Sequence, residues 1–478
     1  MRTVPLLAAA VCLVAALIEV SAQAPGVPIE GTRPAVQDSG VLARLEALRG
    51  TGKGLDTAGL KAALLHPTPA AIALPLCHTT SLRPAEVWAS AQRSRVGVGW
   101  HYLCHKCDKW HLNLAGGYPI AADGVVATCF HVAEPGAEIR EGRLVVVDGE
   151  GNPHAVTEVI ASSREMDACI VRAEGLKAEP LPLNDQVRPG DPAFLLSNPL
   201  NVSGYFTDGM VNRFFWNPKA SGSPGKDDVT FLRMNVSTDW APGSSGSPVL
   251  DSCGNAISHV ATIAHLGDGK NTSGKGVAHL TLHEGIPARS VMALVKKAAA
   301  EAALPEAERK RPTLGQMEEL IGAKDYVTAA GVAGMLERAG VGAEDERRLV
   351  LGRFRIAVGT GKQGDAAEVA GKLTETAGAE HAVSLNEVAW KLVTAIKKPE
   401  AGTLAAAEKA ALRSVELLER RDAASLDTLA RVSFMLDKKD EAIRTEEQAV
   451  AVAEGDMKAE LEKTLAAYRE GKLPEVKE

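Results

Sequence analysis

Length, composition and charge exclude several classes of protein before any motif is considered. The 478 residues are enough for two to four domains, and a chain with 45% hydrophobic and 24% charged residues is ordinary for a globular protein. The formal net charge of −7 argues against general nucleic-acid binding. Aromatic residues make up only 4% of the chain, so we expect packing to rely on small and branched aliphatic side chains.

Residues 1–24 have the pattern of a secretory signal peptide. A short positive start precedes an almost wholly apolar run over residues 4–20, and small residues follow at 21–24. The alternative is an uncleaved membrane anchor, but the apolar run is short and contains Glu19. We therefore expect export to the periplasm or the extracellular space, with no membrane span in the mature chain.

Residues 25–90 form a predicted N-terminal extension in which we identify no chemistry. Apolar residues at helical spacing predict short helices near 41–48 and 57–65. Prolines between positions 67 and 84 are expected to interrupt regular structure after those helices. The extension is expected either to pack on the next domain or to be partly disordered.

Short β-branched or alternating segments separated by turn residues dominate residues 91–304. Strands of this length and spacing indicate antiparallel barrels. The strands predicted for the first half are 94–102, 112–121, 124–130, 143–147, 154–161 and 168–173. Those predicted for the second half are 193–199, 207–215, 256–263 and 276–282, and a strand-to-helix transition is predicted over 284–295.

Residues 305–478 lose the strand pattern and are rich in helix-forming residues. Two helices separated by residues 437–440 carry Ala430, Ala442 and Ala449 at positions where close-packed helix pairs need small side chains. This region resembles a short tetratricopeptide-like array, and an unrelated helical bundle is the alternative. The resemblance implies a surface for a protein partner.

Three polar residues, in the order His131, Asp167 and Ser245, stand in contexts suited to acyl transfer. Ser245 lies in the run Gly-Ser-Ser-Gly-Ser-Pro (243–248), whose glycines permit unusual backbone dihedrals and leave N–H groups near a developing oxyanion. His131 follows an apolar strand, and Asp167 opens another. Taken alone, the serine run could be a plain turn, but its combination with the other two contexts favours a catalytic site.

These contexts resemble the chymotrypsin-like (trypsin-like) serine proteases of bacterial type, in the glutamyl-endopeptidase and HtrA/Deg branches. The resemblance implies an all-β double antiparallel barrel, followed here by an all-α helical domain. It also implies that Ser245 is the nucleophile, His131 the general base and Asp167 the group that orients the imidazole. The N–H groups of Gly243 and Ser245 would form the oxyanion hole, and no catalytic cofactor would be needed.

Two further candidates for the site follow from the same region. Asp148 and Asp185 are alternatives to Asp167, but neither precedes an apolar strand. Asp239 stands six positions before Ser245, where trypsin places the acid that receives Arg or Lys. Since similar stretches occur in bacterial relatives without that preference, Asp239 is only a possible specificity residue.

The sequence therefore predicts an exported serine endopeptidase that hydrolyses polypeptides through an acyl-enzyme. The alternative is a catalytically inactive barrel in a scaffold that binds proteins through its helices. Retention of all three contexts favours the enzyme, because an inactive barrel is expected to lose at least one of them.

Cys104 and Cys107 form a Cys-x-x-Cys pair followed closely by His111. In an exported chain a local disulfide is one interpretation. A structural zinc site is another, with His111 and the distant Cys77-His78 pair as candidate further ligands. Free thiols are the third, and the spacing alone does not decide among them.

Overall fold

The N-terminal extension contains three helices. They are α1 (Ser39–Gly50), α2 (Thr57–Leu65) and α3 (Pro84–Arg93). The computed structural model that defines them describes residues 38–217, 229–267, 269–270, 276–277, 280–376 and 379–475, so the predicted signal peptide lies outside the described residues. The carboxylates of Asp38 and Asp56 cap α1 and α2 by accepting hydrogen bonds from first-turn N–H groups. The two predicted helices fall on α1 and α2.

Helix α3 differs from the expectation that prolines end regular structure in this part of the chain. Pro84 is the first residue of α3. At that position the missing N–H has no partner to lose, and the fixed φ of proline suits a helix. The predicted start of the barrel domain, residue 91, therefore lies inside α3.

The first half of the strand-rich region closes into one antiparallel barrel. Its strands are β1 (Val96–Cys104), β2 (Trp110–Ala121), β3 (Val125–Thr128), β4 (Ile139–Asp148), β5 (Pro153–Ser163) and β6 (Ala168–Ala173). They are hydrogen-bonded in the order β1-β2-β3-β6-β5-β4. A single helical turn, α4 (Phe130–Ala133), follows β3. Each of the six predicted segments falls on one of these strands.

The second half closes into another six-stranded antiparallel barrel. Its strands are β7 (Pro192–Ser197), β8 (Tyr205–Trp216), β9 (Leu232–Val236), β10 (Pro248–Leu250), β11 (Ala256–Leu266) and β14 (Leu280–Pro287). Their order is β10-β11-β14-β9-β8-β7. A separate two-stranded sheet pairs β12 (Gly269–Lys270) with β13 (Gly276–Val277). The strand predicted at 276–282 lies partly outside the described residues.

Each barrel has its own apolar core, and a third cluster fills the seam between them. The first core includes Val98 and Val146, and the second includes Leu195 and Met234. Tyr118 belongs to the seam cluster, which also takes in one face of α5 (Ala288–Ala302). The two barrels and the helices that follow confirm the predicted fold class.

An extended segment between α2 and α3 runs from one barrel to the other. The N–H of Thr68 donates to the Val159 carbonyl in the first barrel (2.8 Å), and the N–H of Leu82 donates to the Ser252 carbonyl in the second (2.7 Å). The predicted extension therefore packs on both barrels over its described residues.

Nine helices follow α5 in the described part of the chain. They are α6 (Leu314–Gly322), α7 (Tyr326–Ala339), α8 (Ala343–Gly359), α9 (Gln363–Glu375), α10 (Ala382–Thr394), α11 (Ala401–Leu417), α12 (Ala423–Met435), α13 (Lys439–Val452) and α14 (Gly455–Arg469). Each packs on the next, and α6, α8, α10 and α12 also contact one another in succession. Ala430, Ala442 and Ala449 are fully buried. A stacked helical array has this neighbour pattern, while its assignment to tetratricopeptide repeats stays a prediction.

Helix α2 joins the helical array to the first barrel. Leu60 and Leu64 belong to the core of the first barrel, whereas Ala62 belongs to the core formed by α6, α7 and α8. Gly331 of α7 lies so close to α2 that an added Cβ would stand 2.1 Å from the Ala58 carbonyl oxygen. No helix among the described residues is both long enough and apolar enough to cross a membrane.

Candidate active site

The three residues predicted to act together come from turns at the ends of strands. His131 lies in α4 directly after β3, and Asp167 lies in the turn between β5 and β6. Ser245 lies in the loop between β9 and β10 of the second barrel. The candidate site therefore depends on how the two barrels meet.

His131 and Asp167 form a direct pair. The imidazole Nδ1 is 2.9 Å from Oδ2 and 3.0 Å from Oδ1 of Asp167, and the backbone N–H of His131 donates to Oδ1 (3.1 Å). Since an ionised carboxylate can only accept, Nδ1 carries the proton and Nε2 is left as the acceptor. The Asp167 backbone adopts a left-handed φ of 58°, which aspartate tolerates better than most residues.

The electrostatics of Asp167 keep its carboxylate ionised. Burial acts to raise the pKa of this carboxyl, but hydrogen bonds and charge from His131 outweigh burial and hold the pKa below its usual value. The carboxylate is thus available to orient the imidazole and to stabilise its protonated form.

The second barrel supports the Asp167 turn through His259 and Arg233. His259 Nε2 lies 3.3 Å from the Asp167 carbonyl oxygen, and its Nδ1 lies 3.4 Å from the hydroxyl of Tyr118. Arg233 donates to the Glu165 carbonyl from the same side (2.9 Å). His259 is fully buried, and that burial lowers its pKa to about 4. The imidazole is therefore neutral, with Nε2–H donating to Asp167 and Nδ1 accepting from Tyr118.

The Ser245 loop packs directly on the first barrel. The Gly116 N–H donates to the Ser245 carbonyl (2.7 Å). A Cβ added at Gly246 would stand 2.5 Å from Thr128 Oγ1, and one added at Gly116 would stand 2.1 Å from Ser247 Oγ. Only glycine permits these approaches, and Gly246 also has a positive φ of 81°. The loop is thereby held against β2 and against the end of β3, three residues before His131.

Within residues 243–247 of the serine loop, two backbone N–H groups donate to no described residue. They are those of Gly243 and Ser245, the pair predicted to form an oxyanion hole. The neighbouring N–H groups of Ser244, Gly246 and Ser247 all have carbonyl partners, at 3.0, 2.8 and 3.0 Å. Unpaired donors in a partly buried loop are available to a ligand oxygen.

The Ser245 hydroxyl and the second ring nitrogen of His131 also have no described hydrogen-bond partner. Within the described ranges, Ser245 Oγ and His131 Nε2 form no hydrogen bond with each other or with a third residue. Ser245 is partly exposed, and the His131 side chain is 48% exposed. Catalytic hydrogen bonds often tighten only when substrate binds, so the open arrangement is compatible with general-base chemistry.

The weaker candidates lie elsewhere. Asp148 contacts His154, and Asp185 lies near Arg289, so neither faces His131.

Asp239 is exposed. Burial is the main influence on the pKa of His283 and lowers it, while the charge of Asp239 acts in the opposite direction. A preference for basic substrates through Asp239 stays a prediction.

Cys104, Cys107 and His111 lie together outside this site. Their ligand atoms are all within 4.8 Å of one another, and both cysteines are free thiols in the structure. The N–H of Lys106 donates to Cys104 Sγ (3.3 Å) and is the main cause of a lowered pKa for that thiol. Cys77 does not join the group, because its Sγ donates to the Leu183 carbonyl (3.4 Å).

Sequence reasoning missed His259 and left the ligand set around Cys104 open. His259 interrupts the apolar run of β11, and an isolated polar residue in a buried strand is the signal that could have identified it.

Residues 116–258 match the family model of the trypsin-like peptidase domain. This range contains His131, Asp167 and Ser245.

Two known proteins similar to the chain are proteases by name. "Putative serine protease HhoB" of Synechocystis sp. (strain ATCC 27184 / PCC 6803 / Kazusa) is 28% identical over 149 residues, which are 30% of this chain and 32% of that protein. The chain thus spans about a third of the length of this relative.

Among solved structures, the HtrA-type protease AlgW with a tripeptide is 19% identical at a TM-score of 0.34. That match covers 45% of this chain and 63% of the AlgW chain. AlgW with a decapeptide is 16% identical at a TM-score of 0.35, with coverages of 46% and 69%.

Proposed function

We propose that the chain is a serine endopeptidase that hydrolyses peptide bonds through an acyl-enzyme. One observation carries the proposal. An imidazole fixed through Nδ1 by Asp167 follows the strand end on which the serine loop packs, and in that loop the N–H groups of Gly243 and Ser245 have no described partner. The match of residues 116–258 to the trypsin-like peptidase domain supports the same reaction class.

In the proposed first step, Ser245 Oγ bonds to the carbonyl carbon of the substrate while His131 Nε2 accepts the hydroxyl proton. Negative charge then develops on the carbonyl oxygen, and the N–H groups of Gly243 and Ser245 stabilise it. When this intermediate collapses, the carbon–nitrogen bond breaks and His131 donates its proton to the leaving amine. The product is an ester between Ser245 and the acyl half of the substrate.

In the second step, water hydrolyses that ester by the same route. His131 takes a proton from the water as it attacks, and returns it to Ser245 Oγ as the acid product leaves. Asp167 remains ionised throughout, which its lowered pKa favours. It keeps the imidazole in the productive tautomer and stabilises the imidazolium.

Replacement of the nucleophile tests the proposal. Ser245→Ala should keep the fold and lower turnover of an unstructured protein substrate by about 10⁴-fold or more. Ser244→Ala is the matched control, because the Ser244 hydroxyl is buried and hydrogen-bonded to that of Ser197 (3.1 Å). This variant should keep most of the activity. Equal activity of Ser245→Ala and the parent would refute the assignment. Absence of hydrolysis by the parent itself would favour the inactive scaffold.

Polypeptides are the proposed substrates, and the helical array is the proposed surface for a protein partner. Export is part of the same proposal and rests on the apolar pattern of residues 4–20. A cleavage profile on a peptide library decides the side-chain preference. Cleavage after Arg or Lys that is lost in Asp239→Ser would support a specificity role for Asp239.

A further inference from the structure

The tip of the hairpin between β1 and β2 carries a cluster that the proposed protease chemistry does not use. Cys104 ends β1, Cys107 lies in the turn, and His111 is the second residue of β2. The Cys104 N–H donates to the Lys109 carbonyl (3.0 Å), and Asp108 adopts a left-handed φ of 52°. This tight turn brings all three side chains to one end of the hairpin.

The distances suit one small divalent ion. Cys107 Sγ and His111 Nε2 are 3.0 Å apart, and all three ligand atoms lie within 4.8 Å of one another. Tetrahedral zinc, with bonds of about 2.3 Å to sulfur and about 2.0 Å to nitrogen, needs its ligand atoms roughly 3.5–3.8 Å apart. Small side-chain rotations would bring the cluster to that spacing.

The local backbone also favours thiolate ligands. The Lys106 N–H points at Cys104 Sγ (3.3 Å), and such a donor stabilises negative charge on sulfur. Two sulfurs and an imidazole together suit zinc better than calcium or magnesium, which prefer oxygen ligands.

A fourth protein ligand is not available at the same distance. Over the described ranges, no other His, Cys, Asp or Glu has a ligand atom within 4.8 Å of all three. Cys77, a candidate from the sequence, instead donates to Leu183. Because Cys107 and His111 are exposed, the remaining position faces solvent.

We propose that Cys104, Cys107 and His111 bind one zinc ion, with water in the fourth position. The ion would tie the end of β1 to the start of β2 and so fix the hairpin tip. His105 and Trp110 of this tip line a cleft of about 1070 Å³ between the first barrel and the helices α7, α8 and α9. The site is independent of the proposed peptidase reaction, since His131, Asp167 and Ser245 do not line that cleft.

Spectroscopic titration with cobalt tests the site in the full-length chain. The reduced, chelator-treated protein should bind one Co²⁺ per chain with a sulfur-to-cobalt charge-transfer band, and one equivalent of Zn²⁺ should abolish the band. Zinc should also raise Tm, because a ligand that binds only the folded state stabilises it. Cys107→Ser should remove the band, and His111→Gln should weaken zinc binding at least tenfold.

Cys77→Ser is the matched control, since Cys77 is also exposed but lies apart from the cluster. It should leave the cobalt spectrum and zinc affinity unchanged. The proposal would be overturned if the reduced parent shows no cobalt–sulfur band, or if Cys107→Ser binds zinc as tightly as the parent. A Cys104–Cys107 disulfide in protein alkylated at the moment of cell lysis would also overturn it, because disulfide sulfurs cannot act as thiolate ligands.

Discussion

The two barrels and the helices after Leu304 differ in where their polar groups without a hydrogen-bond partner lie. In the barrels, buried polar side chains such as His259 and Arg233 have hydrogen-bond partners, and at the partly exposed Ser245 loop two backbone N–H groups, those of Gly243 and Ser245, have no described acceptor. Among the described residues, every buried side-chain nitrogen or oxygen atom without a partner belongs to the helical region, except Thr238 Oγ1. The unpaired donors at the Ser245 loop are thus partly exposed, whereas the unpaired side-chain atoms of the helical region are buried.

Some of the buried unpaired atoms of the helical region belong to an acid pair, Glu446 and Asp427. Both oxygens of Glu446 lack a donor when the group is counted as a carboxylate, but its neighbour Asp427 can share one proton with it. Burial, followed by the negative charge of Asp427, raises the pKa of Glu446, and burial also raises the pKa of Asp427. We infer that at least one member of the pair is protonated in the folded state. The barrels therefore hold the residues proposed for catalysis, and the helical region holds a buried acid pair through which pH is expected to affect stability.

The largest effect is expected from a change that leaves the site's shape intact. Asp167→Asn should lower kcat/KM by about 10⁴-fold at neutral pH, because a neutral amide permits the wrong imidazole tautomer and cannot stabilise the imidazolium. Steady-state kinetics on a peptide substrate measure this. Asp148→Asn is the control, since Asp148 contacts His154 and not His131. Similar losses in both variants would remove Asp167 from its proposed role.

A smaller loss of activity should follow from removing the hydrogen bond between His259 and the Asp167 carbonyl. His259→Ala removes the contact with the Asp167 carbonyl and should lower kcat by roughly tenfold to 10²-fold with little change in KM, because a small displacement of a catalytic group is costly. His259→Gln should recover part of the activity through its amide N–H.

His265→Ala is the control for this effect, because it changes an exposed histidine of the same strand, β11. It should be neutral. If His259→Ala kept full kcat in a folded protein, His259 would have only a packing role.

The features that could be predicted from sequence are those in which local pattern and tertiary environment agree. Alternating and β-branched runs gave the first barrel, and the Gly-x-Ser-Gly context singled out Ser245. Strand β9 escaped prediction because Arg233 and Asn235, which alternate with the core residue Met234, are polar yet buried. Strand β10 has only three residues, too few for a periodic pattern.

The remaining misses depend on contacts between distant parts of the chain. His259 acts through the Asp167 turn of the other barrel, and no local pattern encodes that approach. Cys77 and Cys104 are both plausible ligands by spacing, but Cys77 contacts Leu183 and does not belong to the cluster around Cys104. Helix α3 was missed because a proline can either end a helix or begin one. Pro84 begins α3, since it occupies the first helical position.

The junction between the two regions can be disturbed without touching the site. Gly331→Ala places a Cβ 2.1 Å from the Ala58 carbonyl oxygen, so α7 must move from α2, at a cost of about 1–3 kcal/mol. Thermal unfolding should show a lower Tm, while the rate on a short peptide stays within about twofold of the parent.

Gly334→Ala is the matched control on the same helix, because its Cβ would meet only Arg338 Nη1 at 3.5 Å. It should be neutral or slightly stabilising, as expected for Gly→Ala in a helix. Loss of peptide hydrolysis in folded Gly331→Ala would mean that the helical array takes part in the active site.

The smallest effect concerns the acid pair. A raised folded-state pKa means that Glu446 supports the fold fully below its unfolded pKa of about 4.3, and that this support is lost as pH rises, because the unfolded chain then releases the proton. Glu446→Gln should therefore raise Tm by a few degrees at pH 8, by less at pH 5, and leave peptide hydrolysis unchanged. A Tm gain that is equal at both pH values would contradict a titrating pair.

Labelling with a fluorophosphonate tests the central claim most directly. The reagent reacts only when an activated serine oxygen displaces fluoride from phosphorus, so it reports the nucleophile without requiring a known substrate. We predict one label per chain, located at Ser245 by mass spectrometry of the digested protein, with labelling abolished in Ser245→Ala and slowed greatly in Asp167→Asn. No labelling of the folded chain, or a label on another serine that persists in Ser245→Ala, would contradict the account.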